Sequence, residues 1–413
     1  MRNMKLSLLK FNCLNLLLGI ALAPYSSAAT APHQGMLLPQ DAPINFSYQG
    51  AFKFPMQTFG DSRLAFANGT FTLNPANNSV FIVGHKQHQA IGEFAIPELT
   101  NSSSLDDLAT ASNIQPFSSI LLNGKRLKNT ERLDYITGME VIEGELFVNA
   151  LTSYDASAKN KTTTFIVRNP STLAKSDVDG MFKLQGSAHS AGWMSKLPKE
   201  WQSTFGASYL QGYASNLSIN SRFSIGPTAF FSYLDAFAGV EATEKEIPAR
   251  GYMDFSLKHP IVEDQYNKNG NNDIWTEISK AYYGFIPQGT NYYFIVGTSG
   301  GHESKMGYKI TQTNGNLCGG PCAYDPADNY NYFWFFKVDD LVQVQQRNKQ
   351  KWQILPSQYG KLSHPFAAKY GENLIAADYD EKRAQLYLLL ETNYKEGNQN
   401  KQALVMLVYR LSV

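Results

Sequence analysis

The chain has 413 residues, of which 43% are hydrophobic, 13% aromatic and 17% charged. This composition excludes a disordered chain, which needs low hydrophobicity and high net charge, and it excludes a coiled coil. The 36 Lys and Arg residues nearly balance the 35 Asp and Glu residues, so no basic field favours nucleic acid as a partner. We therefore expect a large, ordered, aromatic-rich globular protein.

The N-terminus has the three zones of a secretory signal peptide. Arg2, Lys5 and Lys10 precede the apolar run of residues 14–23, and the small residues 27–29 offer a cleavage site. The apolar run is about half of the ~20 residues that a membrane anchor needs. We predict a signal peptide over residues 1–29 and an exported mature protein, periplasmic or extracellular, with no membrane span.

Residues 30–45 are rich in Pro and polar residues and predict a lead-in segment. From Phe46 onward, short apolar and aromatic runs alternate with Gly, Asn, Asp and Pro, a pattern that predicts strands and turns. The predicted strands are Phe46–Phe52, Gly69–Leu73, Ser79–Val83, Gly92–Ile96, Tyr135–Ile142, Glu145–Ala150, Thr163–Arg168, Ile225–Tyr233, Tyr292–Gly297, Asn331–Val338, Asn373–Asp378, Gln385–Leu390 and Leu404–Leu411. The predicted helices are short: Ser104–Ala111, Pro198–Thr204, Trp275–Tyr282 and Asp339–Arg347.

One local pattern recurs along the chain: a polar turn, then two or three hydrophobic strands. The tetrapeptide Phe-Ile-Val-Gly occurs at Phe81–Gly84 and again at Phe294–Gly297. The repeating units begin near residues 62, 132, 205, 285 and 363. We predict an all-β fold, a five-bladed β-propeller over residues 46–413 with long inter-strand loops, in which Phe46–Phe52 pairs with the last blade and removes a sheet edge. A pair of β-sandwiches with insertions is the alternative.

Three segments of the sequence support this fold by their resemblance to other proteins. Gly50–Pro55, Leu73–His85 and Gly192–Trp201 resemble segments of a group of uncharacterised exported bacterial proteins that look β-propeller-like. The resemblance covers scattered parts of most of the mature chain. It implies the propeller fold and export, and it implies no catalytic residue.

Two cysteines follow the signal peptide, Cys318 and Cys322, separated by three residues that include two glycines. In an exported protein an even pair indicates a disulfide, and the glycines permit the tight reversal that it needs. The alternative is half of a metal site, for which His302 is the only nearby histidine.

The histidines that follow the two Phe-Ile-Val-Gly segments are candidate ligand-binding residues. His85 and His88 follow the first segment, and His302 and Glu303 follow the second. Imidazole is the commonest metal-ligating side chain, so a divalent metal is the cofactor hypothesis for these residues. The alternative is surface histidines that bond to the backbone.

Acidic residues are the candidates for catalysis, because a glycosidase needs two carboxyl groups about 5–10 Å apart. The candidates by position are Asp134, Glu140, Asp155, Asp235, Asp254, Glu303 and Asp378. Glu140 is the most suggestive, since it interrupts an apolar strand where a buried charge needs a reason. We assign Glu140 and Asp155 as the catalytic candidates. An ion pair with Arg132, or an outward-facing position, would explain Glu140 without catalysis.

Two further features concern binding. The aromatic residues around Trp334 are a candidate platform for sugars or peptides, with core packing as the alternative. The Asn-rich segment of residues 267–273 resembles a calcium loop but lacks its acidic density, so a polar turn is the simpler interpretation.

These observations lead to two functional hypotheses, and the sequence does not decide whether the protein is an enzyme. The first is a monomeric binding module that recognises a glycan or a protein through its loop face. It predicts aromatic and amide residues at the channel mouth and no paired carboxylates with perturbed pKa. The second is a carbohydrate-active hydrolase or lyase, which predicts acidic side chains that converge in a central pit.

Overall fold

The computed structural model describes residues 36–155, 159–214, 224–239, 246–366, 373–396 and 399–412. The signal peptide predicted over residues 1–29 lies outside them. Five small sheets stand in a ring, so the predicted all-β fold and the five-bladed propeller are confirmed.

The short apolar runs form the strands because each sheet packs against a neighbour on both faces. The second strand of blade 1, Ser79–Val83, is buried at all five positions and shows no polar alternation. In chain order the first elements are β1 (Asn45–Lys53), the hairpin β2 (Thr58–Phe59) and β3 (Ser62–Arg63), and blade 1 with β4 (Phe71–Asn74), β5 (Ser79–Val83), β6 (Ile91–Ala95) and β7 (Asn113–Ser118).

Blades 2 and 3 follow with the same antiparallel order. Blade 2 contains β8 (Tyr135–Ile142), β9 (Glu145–Leu151), β10 (Thr164–Val167) and β11 (Val178–Leu184). Blade 3 contains β12 (Trp193–Lys196), β13 (Tyr209–Gly212), β14 (Ala229–Ser232) and β16 (Arg250–Met253), and the two-residue β15 (Glu246–Ile247) before β16 pairs in parallel with β11 of blade 2.

Blade 4 contains β17 (Lys280–Phe285), β18 (Tyr292–Gly300), β21 (Asn329–Lys337) and β22 (Gln358–Lys361). The hairpin of β19 (Met306–Tyr308) and β20 (Pro321–Ala323) projects from the connection between β18 and β21. Blade 5 contains β23 (Asn373–Asp380), β24 (Gln385–Glu396) and β25 (Gln399–Ser412).

The ring closes through its first strand. β1 pairs antiparallel with β25, with Phe46 opposite Leu411, and becomes the outer strand of blade 5. This is the predicted pairing of the early strand with the last blade, and it removes an exposed sheet edge.

The inner strands β4, β8, β12, β17 and β23 surround the axis, and each one contacts the next. Their approach is close: a Cβ at Gly138 in β8 would lie 1.8 Å from the carbonyl oxygen of Gly192, just before β12. Only glycine fits there. Residues of five sequence-distant segments therefore meet around one axis.

Within the described ranges, helices are few and short. They are α1 (Lys199–Phe205) and α2 (Val338–Gln345), close to two predicted helices, and 3₁₀ turns at Leu105–Asp107, Pro170–Thr172, Ser187–His189 and Leu234–Phe237. Among the described residues, no helix is both long and apolar enough to cross a membrane.

One predicted helix is wrong. Residues 275–282 end in the inner strand β17, because Lys280–Phe285 pairs with β18 and buries Ala281, Tyr283 and Phe285. Trp275 packs instead against the ring of Trp334, at 5.0 Å between centroids. Tertiary pairing here overrides the local pattern.

Candidate functional site

Three of the five inner strands carry an irregularity at the same place. In β8, β17 and β23 the pairing register with the second strand shifts across Thr137, Tyr282 and Ile375, respectively. A β-bulge of this kind re-aims side chains and is common next to binding sites. The bulges also define which positions of the three strands are equivalent.

The third residue after each bulge is Glu140 in β8, Phe285 in β17 and Asp378 in β23. All three line one cavity of about 260 Å³ at the axis, which we name the carboxylate cavity. Two sequence-distant acidic residues thus occupy equivalent positions in two inner strands. Of the two catalytic candidates, Glu140 lines this cavity and Asp155 does not; the second acid here is Asp378, one of the positional candidates.

Protein atoms surround Glu140 densely, but the residue is only half-buried because part of it borders the carboxylate cavity. No hydrogen bond to its carboxyl group is found among the described residues. Burial, and next the charge of Asp378, hold the pKa of Glu140 well above its usual range, while the ammonium of Lys196 acts in the opposite direction. Glu140 is therefore a carboxylic acid poised to keep its proton.

Asp378 is better supplied with donors. Its Oδ2 accepts hydrogen bonds from the backbone N–H of Leu73 at 2.8 Å and from the hydroxyl of Thr72 at 3.2 Å. The Tyr283 hydroxyl and the Tyr379 N–H also stabilise the charged form. Burial outweighs these donors and raises the pKa of Asp378 to about 6. At neutral pH Asp378 is the more readily ionised member of the pair.

Aromatic and charged side chains complete the carboxylate cavity. The rings of Phe285 and Tyr379 stack at 4.1 Å between centroids and form an apolar wall. Burial, followed by the charge of Glu140, raises the pKa of Tyr209, so its phenol remains a neutral donor. The remaining charged residues of the lining are Glu143, Lys196, Asp380, Glu381 and Lys382.

A second cavity of about 90 Å³, which we name the tyrosine cavity, lies around the first residues of the inner strands. Tyr283 lines both cavities, so the two cavities adjoin at this residue. The three bulge residues all line the tyrosine cavity. Its other polar or aromatic lining residues are Asn68, Thr70, Phe71, Tyr135, Trp193, Tyr213 and Lys280.

The two Phe-Ile-Val-Gly segments end the second strands of blades 1 and 4, and the histidines lie in the loops that follow. These loops emerge at the same end of the propeller as the tyrosine cavity, because antiparallel second strands end where inner strands begin. His85 and His88 stack on each other at 4.7 Å, and the Ser62 hydroxyl is 3.1 Å from Nδ1 of His88. Burial lowers the pKa of His85, as does the neighbouring His88.

His302 uses both ring nitrogens for structure. Its Nε2 lies 2.7 Å from the Ser299 hydroxyl and its Nδ1 lies 2.8 Å from the carbonyl oxygen of Asn272. Burial lowers the pKa of His302, so the ring stays neutral. Glu303 is exposed and pairs with Lys361 at 3.1 Å.

No group of three or more His, Cys, Asp or Glu side chains suitable for a metal ion is found in the described part of the chain. The divalent-metal hypothesis therefore gains no support from these residues. In the Asn-rich loop, the side-chain amides of Asn267 and Asn272 donate to backbone carbonyls, including those of Gly301 and Trp275. That arrangement is a polar turn that fastens the loop. The predicted disulfide joins Cys318, in the connection between β19 and β20, to Cys322 within β20.

The expectation of an exposed platform at Trp334 is wrong. Its ring is fully buried in β21, and its Nε1–H donates to the Ile274 carbonyl at 2.7 Å. Long apolar runs in a middle strand pack between blades, and the tryptophan fills that space.

The other acidic candidates do not line the carboxylate cavity. Asp155 accepts backbone N–H groups of Lys159 and Asn160 and so fastens its own loop. Arg132, proposed above as an ion-pair partner of Glu140, lines a separate surface pocket in the loop before β8. The remaining positional candidates bond elsewhere: Asp134 to Ser153, Asp235 to Ser208 and Asp254 to His189.

Comparison of the chain with protein-family models gives no match, and comparison with curated proteins gives none either. The functional conclusion therefore depends on the geometry of the channel.

Proposed function

We propose that the protein is an exported carbohydrate-active hydrolase whose acid–base centre is Glu140 and Asp378. The observation that carries this proposal is the pair itself: two carboxyl groups at equivalent positions of two inner strands, held in one cavity with different donor sets. Glycoside hydrolysis needs one carboxyl group that is protonated and one that is ionised.

The roles follow from the two environments. Glu140, with no hydrogen bond from the described residues and a raised pKa, donates its proton to the departing glycosidic oxygen. Asp378, supported by backbone and hydroxyl donors, accepts a proton from the water that attacks the anomeric carbon. The carbon–oxygen bond breaks, one water molecule is consumed, and the proton on Asp378 is passed back to Glu140 through solvent.

The size and walls of the cavity suit one sugar residue. At about 260 Å³ it lies just below the ~300–1,000 Å³ typical of drug-sized ligands. The stacked rings of Phe285 and Tyr379 offer an aromatic wall of the kind that packs against the apolar face of a sugar ring.

The experiment is a hydrolysis screen of the mature protein with p-nitrophenyl glycosides and polysaccharides. With an accepted substrate, Glu140→Gln and Asp378→Asn should each lower kcat by roughly 10²–10⁴-fold. The matched control is Glu98→Gln, since Glu98 is exposed, follows the third strand of blade 1 and lines neither cavity. Unchanged turnover in both the Glu140→Gln and the Asp378→Asn variants would contradict the proposal.

A binding module that recognises a glycan or protein through the loop face is the second candidate. It is favoured by the tyrosine cavity, where Tyr135, Tyr213 and Tyr282 with the amide of Asn68 surround the channel mouth on the side of the long loops. The paired carboxyl groups, which this hypothesis does not predict, place it second. Saturable glycan binding to a protein that hydrolyses nothing in the screen would reverse the order.

A further inference from the structure

Lys280 is a cation without a partner at the start of an inner strand. It is the first residue of β17 and is partly exposed in the tyrosine cavity. Among the described residues, its ammonium group has no ion pair and no hydrogen bond. A partly buried ammonium without a counter-ion attracts an anionic group of a ligand.

No acidic side chain competes for this charge in the tyrosine cavity. Lys280 is the only Lys, Arg, His, Asp or Glu in the described lining of this cavity. The other lining residues are aromatic, aliphatic, amide or hydroxyl. The carboxylate cavity differs, because its lining has five acidic residues against two lysines. Along the axis the electrostatic preference therefore changes: a ligand anion is favoured at the tyrosine cavity and disfavoured at the carboxylate cavity.

The phenols beside Lys280 are suitable hydrogen-bond donors. Burial, and next the neighbouring Tyr282, raise the pKa of Tyr135 to about 12, so its hydroxyl stays protonated. The Tyr282 side chain reaches the cavity from a bulge position, as do Thr137 and Ile375 from the corresponding bulges. The hydroxyl of Thr137 is already used, since it donates to the Ala191 carbonyl.

The volume limits what can enter. At about 90 Å³ the tyrosine cavity is much the smaller of the two cavities, against about 260 Å³ for the carboxylate cavity. A small anionic substituent of a larger ligand is therefore the group that fits.

We propose that the tyrosine cavity is a carboxylate subsite, in which Lys280 and the hydroxyls of Tyr135 and Tyr282 bind the acid group of a uronic-acid residue in the substrate. This inference rests on the proposed function and names its substrate class, an acidic polysaccharide.

The experiment uses the full mature chain with Glu140→Gln, so that ligand is not consumed. Isothermal titration calorimetry at low ionic strength compares the affinity of this variant for a tetragalacturonide with its affinity for the neutral galactotetraose. We expect tighter binding of the acidic probe, and a roughly 10–100-fold loss of that affinity in Lys280→Met, the size of effect of one charge-assisted hydrogen bond. Affinity for the neutral probe should stay the same.

Two further variants make the result specific. Lys280→Arg keeps the charge and should retain most of the preference for the acidic probe. Lys337→Met removes an exposed lysine of the same blade and should change neither affinity. Equal binding of the two probes, binding of neither probe, or an acidic preference that survives Lys280→Met would each overturn the subsite.

Failure of this inference can be told apart from failure of the hydrolase. If the acidic preference depends on Lys280 and the wild-type protein cleaves no glycoside, the subsite stands and the hydrolase fails. If neutral glycosides are cleaved through Glu140 and Asp378 and uronides are not preferred, the hydrolase stands and the subsite fails.

Discussion

Two buried acidic regions of the propeller differ in how their charges are stabilised. In blade 1, Glu93 is fully buried, and four side chains donate to its carboxylate. The donors are Asn74 at 2.9 Å, Asn77 at 3.2 Å, Ser79 at 2.5 Å and Gln115 at 2.5 Å. On the axis, Glu140 receives no hydrogen bond from the described residues and faces a second carboxyl group.

The difference separates a structural acid from a candidate catalytic one. The Glu93 carboxylate joins three strands of blade 1 through its donors, which accounts for its burial. Glu140 has no such network, and the raised pKa values of Glu140 and Asp378 mean that ionising the pair weakens the folded state. Groups kept at a cost to stability cluster at functional sites.

The largest effect is expected at Glu93. Glu93→Ala leaves four donors without their acceptor, two of which, Asn74 and Ser79, are buried, so the free energy of unfolding should fall by about 3 kcal/mol or more. Chemical denaturation measures it, with Glu98→Ala as the exposed control, expected within about 0.5 kcal/mol of wild type. A Glu93 variant as stable as that control would remove the contrast with Glu140.

Substitution of Glu140, on the axis, is expected to stabilise the protein rather than destabilise it. At pH 8 Glu140→Gln replaces an acid that ionises unfavourably with a neutral isostere, and it should raise the free energy of unfolding by about 1–2 kcal/mol. The gain should shrink as the pH falls through the ordinary pKa of a glutamic acid, about 4.3, because the unfolded chain then also takes up the proton. Destabilisation at pH 8 of the size expected for Glu93→Ala would show that Glu140 is structural.

The raised pKa of Asp378 makes the stability of the wild-type protein depend on pH. The pKa of Asp378 is raised from ~4 in the unfolded chain to about 6 in the folded one, so the folded state binds more protons between these values. The contribution of Asp378 to the free energy of unfolding is full below pH ~4. It falls by about 2–3 kcal/mol as the pH rises to about 6. Glu140 extends the decline to higher pH. The Asp378→Asn variant should show a shallower decline, and equal slopes would contradict the assignment.

The smallest effect is expected at Tyr283. Tyr283→Phe keeps the ring between the two cavities and removes the hydroxyl that stabilises the Asp378 carboxylate. The pKa of Asp378 should rise above about 6, with less than about 1 kcal/mol change in stability. Carboxyl ¹³C NMR follows the titration. An unchanged midpoint would mean that the phenol does not support the charge.

The propeller could be predicted from sequence because its middle strands are continuous apolar runs between turn residues. Ser79–Val83 and Tyr292–Gly300 are strands for that reason. The inner strand β17 is harder to predict, because the sequence of Lys280–Phe285 has two adjacent tyrosines and the bulge at Tyr282 breaks the strand period of two. Its pairing with β18, a nonlocal contact, decides the structure.

The site could be predicted in part. Glu140 stood out because it interrupts an apolar strand, whereas Asp378 was one of several acidic candidates and Asp155 was preferred to it. Their equivalence depends on bulges at Thr137 and Ile375, and a bulge leaves no regular signal in the sequence. The small residues Gly138 and Ala376, each two positions before the acid, are the one sequence signal that links the two strands.

The most direct test of the account is the protonation state of Glu140 at neutral pH. Isotope-edited infrared spectroscopy of ¹³C-labelled protein, with Glu140→Gln to assign the band, reads the carboxylic acid directly. The account predicts that Glu140 keeps its proton well above the ordinary range of a glutamic acid, next to an Asp378 that titrates near pH 6. A Glu140 that is already ionised at pH 5 would contradict it.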